Sequence, residues 1–182
     1  SESELHRIAR IAEQMHCVAP VSIRVNPDVD AQTHPYISTG LKENKFGIDI
    51  DDAPRIYATA SQHKSLNIVG IDCHIGSQLT ALAPFKDALE RVLRLVDQLA
   101  AQGITLHHID VGGGLGVRYD DEQPPAVAEH IDALFAVMRQ RPQELVLEPG
   151  RSIAANAGAL LMRVDTITVS YTHLTLPTTL QV

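Results

Sequence analysis

Helical and extended patterns alternate along this chain of 182 residues, and the alternation restricts its fold more than any other feature. Short apolar runs typical of strands lie at residues 21–25, 68–75, 104–111 and 144–148. Amphipathic stretches with helical spacing lie before the first run and between the others. A strand that alternates with a helix in this way is typical of parallel sheets. The sequence therefore predicts an α/β protein.

The helices carry recognisable boundary signals. Ser1 and Glu4 have the spacing of a capping box, Asp51 or Asp52 begins a helix with Pro54 in its first turn, and Pro84 begins the longest helix. Gly103 follows the end of that helix. The residues expected on the buried stripes are Leu5, Ile8, Ile11, Ala12 and Met15 in the first helix and Val127, Ile131, Leu134, Phe135 and Met138 in the last.

Each strand has one apolar face and a second face with a polar residue near its carboxyl end. Side chains alternate along a strand, so Arg24 opposes Val25, Asp72 and His74 oppose Cys73, and Glu148 opposes Leu147. A (β/α)8 barrel of the TIM type has this organisation, with its chemistry at the carboxyl ends of the strands. Only four strands are recognisable, so we expect half of such a barrel.

Composition excludes several classes of function. The net charge of -7 disfavours nucleic acid or an anionic membrane as a partner. No apolar run approaches the length of a membrane span. Cys17 and Cys73 have neither metal nor disulfide spacing, which favours a reducing cytoplasm. His107 and His108 are adjacent on a strand and point opposite ways, so no zinc or other metal site is expected.

Three strand ends carry residues suited to chemistry. These are the segment from His74 to Gln78, the glycine-rich segment from Asp110 to Gly116, and Glu148-Pro149-Gly150-Arg151. Together they supply an imidazole, bare backbone amides, a carboxylate and a guanidinium. That set suits an aromatic cofactor with a phosphate, and pyridoxal 5'-phosphate fits best.

Each of these motifs also has an ordinary structural interpretation. Three glycines can form a tight turn, Glu148 and Arg151 can pair at the surface, and His74 can be a core histidine. The glycines miss the spacing of a dinucleotide site, and the chain has neither a nucleotide P-loop nor the G-x-S-x-G motif of a serine hydrolase. A phosphate-binding barrel unrelated to this cofactor stays open at this point.

The chain also resembles a known family, the diaminopimelate decarboxylases. The motifs that carry the resemblance are residues 25–30, 34–40, 45–47, 74–78, 110–116 and 148–152. The glycine and Glu-Pro-Gly-Arg motifs also occur in ornithine and arginine decarboxylases, whereas residues 34–40 point to diaminopimelate. The resemblance implies an alanine-racemase-like barrel, a C-terminal β domain, a homodimer with shared active sites, and conversion of meso-2,6-diaminopimelate to L-lysine and CO2 in lysine biosynthesis.

Site residues follow from the resemblance by motif. It implies that His74 stacks on the cofactor ring, that Ser77 with Gly112, Gly113 and Gly114 holds the phosphate, and that Glu148 faces the pyridine nitrogen. It implies further that Gly150 contacts the cofactor and that Arg151 binds a substrate carboxylate or the phosphate. Arg24, as a substrate contact, and Lys45 match positions that line the same pocket.

The chain departs from the family in three places. The lysine that binds the cofactor lies upstream of Ser1 in the family, and the catalytic cysteine lies in the β domain, so we expect the chain alone to be inactive and to hold no catalytic residue. We predict a partial barrel at residues 1–164, the C-terminal half of the family's barrel, and a tail at 165–182 that is foreign to the family, such as translated adapter sequence. A decarboxylase of another basic amino acid or of carboxynorspermidine, and a non-catalytic cofactor-binding homologue, remain alternatives.

Overall fold

The described part of the chain contains one parallel sheet with helices packed on it. The computed structural model describes residues 1–29 and 46–159, together with residues 161 and 163. The elements in chain order are α1 (Glu2–Gln14), β1 (Ala19–Asn26), β2 (Ile48–Asp49), α2 (Ala53–Ser61), β3 (Leu66–Asp72), α3 (Ala83–Ala101), β4 (His108–Asp110), α4 (Val127–Met138), β5 (Glu144–Val146) and α5 (Arg151–Ala154). The strands lie in the order β2-β1-β3-β4-β5, and every neighbouring pair is parallel. The predicted α/β class is confirmed.

The sheet has one strand more than the sequence predicted. β2 is only two residues long, and it pairs through Ile48 and Asp49 with Val25 and Asn26 at the end of β1. Two residues are too few to show an alternating pattern, which explains why this strand was missed. β4 and β5 have three residues each and are shorter than the apolar runs that predicted them.

The predicted apolar face of the sheet is the core of the protein. Val25, Ile71, Cys73 and Ile109 are at most 1% exposed, and they belong to one cluster that also contains the buried stripe of α3. Full burial of such a side chain contributes about 1.5–3 kcal/mol. α3 begins with Pro84 in its first turn, and the N–H of Gly103 just beyond its end donates to the Ala100 carbonyl at 3.0 Å, as predicted.

The predicted stripe of α1 is wrong in part. Its predicted capping box is present, since the Ser1 hydroxyl accepts from the Glu4 N–H at 3.4 Å. However, Ile11 and Met15 are 40% and 69% exposed, and Leu5, Ala9 and Ala12 are the buried residues of this helix. Two of these three are alanines, whose small side chains let the helix lie close to the sheet.

The predicted stripe of α4 is also wrong in part. Val127 and Phe135 are exposed, and the buried residues are His130, Leu134, Val137 and Met138. The reason lies in a contact between helices: the His130 ring packs edge-on against Phe85 of α3, with 4.4 Å between the ring centroids. This contact turns His130 inward and Phe135 outward, and a rule based on apolar residues alone cannot anticipate it.

β3 carries one extra residue relative to β1. Val21 is opposite Ile68, but Ser22 is opposite Gly70, so Val69 has no counterpart. Beyond this β-bulge the register continues regularly, with Ile71 opposite Ile23 and Asp72 opposite Arg24. Asp72 and Arg24 therefore lie on the same, polar face of the sheet.

Two further predictions concern the chain as a whole. Within the described ranges, no helix is long and apolar enough to cross a membrane. The predicted boundary at residue 164 and the tail at 165–182 lie outside the described residues and stay predictions.

Candidate active site at the carboxyl ends of the strands

The strand ends that the sequence singled out meet at one rim of the sheet. His74, Gly112 and Glu148 each lie two residues beyond the end of their strand, β3, β4 or β5. The Glu148 N–H donates to the Gly112 carbonyl at 2.9 Å, and the Gly113 N–H donates to His74 Nδ1 at 3.3 Å. The structure thus brings the imidazole, the glycine-rich segment and the acidic segment together, as predicted.

Gly112 and Gly113 are required by this close packing. Gly112 has a φ of +69°, and a Cβ there would lie 2.8 Å from His74 Nδ1. A Cβ on Gly113 would overlap the Glu148 carbonyl oxygen. The close approach that the glycines permit is therefore made by the neighbouring strand ends themselves.

The backbone amides of the glycines are less available than the sequence suggested. The Gly112 N–H donates to Asp110 Oδ1 at 2.8 Å, and the Gly113 N–H is used by His74. Gly114 is the one member of the run whose N–H has no hydrogen bond to a described residue. The expectation of three bare amides is wrong for Gly112 and Gly113, because a protein group accepts from each of them.

The hydrogen bond from Gly113 also defines the chemical state of His74. Nδ1 accepts from an N–H group, so its lone pair faces Gly113 and the ring hydrogen is on Nε2. Burial lowers the pKa of His74, and the positive charge of Arg24 lowers it further, against a smaller opposite effect of Asp110. The imidazole is therefore neutral near pH 7.

A row of charged side chains lies directly below this rim on the polar face of the sheet. Arg24, Asp72 and Asp110 are register partners across three neighbouring strands. Burial raises the pKa of Asp72 to about 6, and the Asp110 and Glu148 charges raise it while Arg24 lowers it. The Nε of Arg24 is buried and has no hydrogen-bond partner among the described residues. A buried carboxyl group with a raised pKa in such a charged row is typical of functional sites.

The remaining predicted residues also lie at the rim. Glu148 is exposed, Ser77 is half-buried, and Gly150 is the residue before α5, where an added Cβ would meet no atom within 4 Å. Arg151 begins α5, and its Nη1 donates to Gln78 Oε1 at 3.3 Å. Its guanidinium carbon lies 5.6 Å from the centroid of the Tyr119 ring. The rim thus combines a neutral imidazole, a solvent-facing carboxylate and an oriented cation beside open space.

A known domain matches this arrangement. The sequence profile described as "Pyridoxal-dependent decarboxylase, pyridoxal binding domain" matches residues 1–155. The chain belongs to this family of pyridoxal-dependent decarboxylases. The diaminopimelate decarboxylase of Pseudomonas aeruginosa is 62% identical over 165 residues, which are 91% of this chain and 40% of that protein. The chain thus spans about 40% of the length of the curated relatives that it matches.

Solved structures of the family have the same fold. The diaminopimelate decarboxylase of Helicobacter pylori in complex with L-lysine superimposes with a TM-score of 0.81 at 41% identity, over 84% of this chain and 39% of that one. The lysine decarboxylase of Selenomonas ruminantium gives a TM-score of 0.66 at 26% identity, over 80% of this chain and 37% of that one. The predicted partial barrel and the predicted resemblance to diaminopimelate decarboxylases are confirmed.

The rim fits the cofactor of this pyridoxal-dependent family. A neutral imidazole can lie against an aromatic ring, an exposed carboxylate can hold a proton at a pyridine nitrogen, and a guanidinium can bind oxyanions. Pyridoxal 5'-phosphate is thus confirmed as the predicted cofactor at the level of the family. Lys45, predicted to line the pocket, and the motif at residues 34–40, which carries part of the family resemblance, lie outside the described residues.

Sequence reasoning missed three residues of the rim. Asp110 accepts from the Gly112 N–H, and an aspartate two residues before a glycine is a turn signal that could have identified it. Gln78 lies within a recognised motif but was given no role. Tyr119 lies in a loop without any regular pattern, so no sequence signal connected it with Arg151.

Proposed function

We propose that this chain is the cofactor-binding part of a longer diaminopimelate decarboxylase, which converts meso-2,6-diaminopimelate to L-lysine and CO2. One observation carries the proposal: a rim that fits pyridoxal phosphate lies within a segment 62% identical to a diaminopimelate decarboxylase. Identity to the solved diaminopimelate decarboxylase is 41%, against 26% for the solved lysine decarboxylase, which favours the first substrate over the second.

The residues of this chain would hold and tune the cofactor. His74 would lie against its ring, and its neutral state would avoid placing a second positive charge beside a protonated pyridine. Glu148 would hold the proton at the pyridine nitrogen, and Ser77 with the Gly114 N–H would bind the phosphate. The bound cofactor supplies an electron-withdrawing ring that stabilises the charge left by the departing carboxylate.

Arg151 and Arg24 would bind anionic groups. Arg151 offers donors in a fixed fork that suits a substrate carboxylate or the phosphate. Arg24 lies on the polar face with a buried Nε that no described residue pairs. Lys45 would line the same pocket, and Gly150 would leave room beside Arg151 for the ligand.

The experiment is a substrate panel on the full-length protein that carries this segment. With pyridoxal phosphate present, we expect lysine and CO2 from meso-diaminopimelate and little product from lysine, ornithine, arginine or carboxynorspermidine. Preference for one of the latter substrates would overturn the choice of substrate. Cofactor binding with no product from any of them would favour the non-catalytic alternative.

The 182-residue chain alone is the matched control. We expect no lysine from it, because the resemblance places the cofactor-bound lysine and the catalytic cysteine outside it. We propose further that the full-length protein is a cytoplasmic homodimer, as the resemblance implies. Light scattering on the purified full-length protein tests the dimer, and a monomer at micromolar concentration with full activity would contradict it.

A further inference from the structure

The Arg151 guanidinium is held on two sides by groups that the proposed function does not yet use. Its Nη1 donates to Gln78 Oε1 at 3.3 Å, and its central carbon lies 5.6 Å from the Tyr119 ring centroid. That separation is within the range of a cation–π contact. Of the five N–H donors of the guanidinium, this hydrogen bond uses one, and the others make none to described residues.

The direction of the Gln78 amide is fixed by the backbone of a neighbouring loop. Its Nε2 donates to the Val117 carbonyl, and its Oε1 accepts from the Val117 N–H at 3.1 Å. This pair of bonds allows only one orientation of the amide, because a flipped amide would place two donors and two acceptors face to face. The oxygen that Arg151 contacts is therefore placed there by Val117.

The backbone of Gln78 supports the same geometry. Its φ is +59°, a left-handed conformation that is uncommon for a residue other than glycine. The next residue, Leu79, pairs with Leu115 beyond the ends of the regular strands, through bonds of 2.9 Å from Leu79 N–H to the Gly114 carbonyl and from Gly116 N–H to the Leu79 carbonyl. These bonds hold Gln78 in a conformation that its own preference would not select.

Tyr119 is held by a second set of bonds. Glu122 Oε2 accepts from the Tyr119 N–H at 3.1 Å and from the Asp120 N–H at 2.8 Å, and these backbone bonds lower the pKa of Glu122. The loop is therefore fixed at Val117 on one side of Tyr119 and at Glu122 on the other. Yet Tyr119 is 63% exposed, so it contributes little to the core.

We propose that Gln78 and Tyr119 are positioning residues, which hold the Arg151 guanidinium in the orientation that binds an oxyanion at the rim. The inference rests on the proposed function, because it assigns Arg151 an anionic ligand there. That ligand is the phosphate of the cofactor or a carboxylate of the substrate, and the two sources share the same bidentate recognition by arginine.

The test compares Tyr119→Leu with Tyr119→Phe in the full-length protein. Leucine removes the aromatic face, whereas phenylalanine keeps it and removes only the hydroxyl, which takes no part in the contact. Because the side chain is exposed, neither change should shift the thermal unfolding midpoint appreciably. The readouts are the Kd of pyridoxal phosphate for the apoprotein, from an absorbance titration, and KM and kcat for meso-diaminopimelate.

We expect Tyr119→Leu to raise either the cofactor Kd or the KM for meso-diaminopimelate by about two- to fivefold, the fold-change that corresponds to an exposed cation–π contact. A rise in KM alone identifies the substrate carboxylate, and a rise in the cofactor Kd identifies the phosphate. Tyr119→Phe should keep both the cofactor Kd and the KM at their wild-type values. Unchanged constants in Tyr119→Leu, or equal losses in both variants, would overturn the proposal.

The two proposals fail in different ways. If the wild-type protein forms no lysine, the proposed function fails, and the cofactor titration alone then decides the role of Tyr119. If the wild-type protein is active and Tyr119→Leu matches it in both constants, the proposed function stands and the positioning role is wrong.

Discussion

The two faces of the sheet, the apolar outer face and the polar inner face, differ in how completely the described residues cover and pair their side chains. On the outer face, Ile71, Cys73 and Ile109 are at most 1% exposed and are covered by the chain's own helices. On the inner face, Arg24, Asp72 and Asp110 form a charged row in which Asp72 has a raised pKa and Arg24 has an unpaired Nε. The outer face is thus complete in itself, whereas the inner face is arranged for groups that the described residues do not supply.

The largest effect should come from the rim where the faces meet. In Gly113→Ala the new Cβ would overlap the Glu148 carbonyl oxygen, and backbone cannot move aside cheaply. We expect a loss of more than about 3 kcal/mol in the free energy of unfolding, together with loss of cofactor binding. Urea unfolding and a pyridoxal phosphate titration measure the two effects.

Gly150→Ala is the matched control for this change. It adds the same methyl group at the same rim, but that group would meet no atom within 4 Å. Its unfolding free energy should therefore stay within about 0.5 kcal/mol of the wild type. Equal losses in the two variants would mean that the strand ends are not packed as described.

A substitution on the outer face should weaken the fold without touching the charged row. Ile71→Ala removes a fully buried side chain, and we expect a loss of about 2–5 kcal/mol in the free energy of unfolding. The loss should be the same at pH 4 and pH 7, since no titrating group is changed. A loss that varied strongly with pH would show that the two faces are coupled.

A substitution of Asp72, the next residue and one on the inner face, should instead change stability in a way that depends on pH. The pKa of Asp72 is about 6, above its ordinary value of 3.8, so the folded protein binds this proton more tightly than the unfolded chain does. The stability that the protonated Asp72 carboxyl contributes to the folded protein is therefore lost as pH rises from about 4 to 6, and it stays absent at pH 7. Asp72→Asn removes this effect, and we expect the variant to be more stable by about 1–2 kcal/mol at pH 7, a value reduced for solvent screening.

Urea unfolding of wild type and Asp72→Asn at pH 4 and pH 7 checks the sign. The two proteins should be equally stable at pH 4 and should diverge as pH rises. If the variant were instead less stable at pH 7, the charged carboxylate would be paired favourably in the folded protein, and the contrast between the faces would weaken.

The smallest effect is expected from thiol labelling, which compares the reactivity of the two cysteines in the unchanged fold. Cys17 is exposed, whereas Cys73 lies on the outer face, where burial raises its pKa to about 12. At pH 8 its thiolate fraction should be on the order of 1000-fold below that of an ordinary thiol. A thiol-reactive dye should therefore label Cys17 quickly and Cys73 only after denaturation. Rapid labelling of both residues would show that the outer face opens readily.

Sequence patterns predicted the outer face and the rim for different reasons. The apolar runs identified β1, β3, β4 and β5, because burial against helices demands such residues. The rim motifs could be placed together because parallel strands end on one side of a sheet. β2 could not be predicted because two residues show no alternating pattern. The orientation of α4 and the loop that carries Tyr119 could not be predicted either, since they depend on contacts between distant residues such as His130 and Phe85.

The extra residue of β3 at Val69 shifts the alternation of side chains by one position between the two halves of that strand. Leu66 below it and Ile71 above it are both buried, although an uninterrupted alternation would direct them to opposite sides. The side of the sheet that Asp72 and His74 occupy is therefore set by their spacing from the bulge at Val69, and residues before the bulge do not affect it. A one-residue insertion or deletion between positions 70 and 74 would turn the imidazole into the core, whereas one before 69 could be absorbed by moving the bulge.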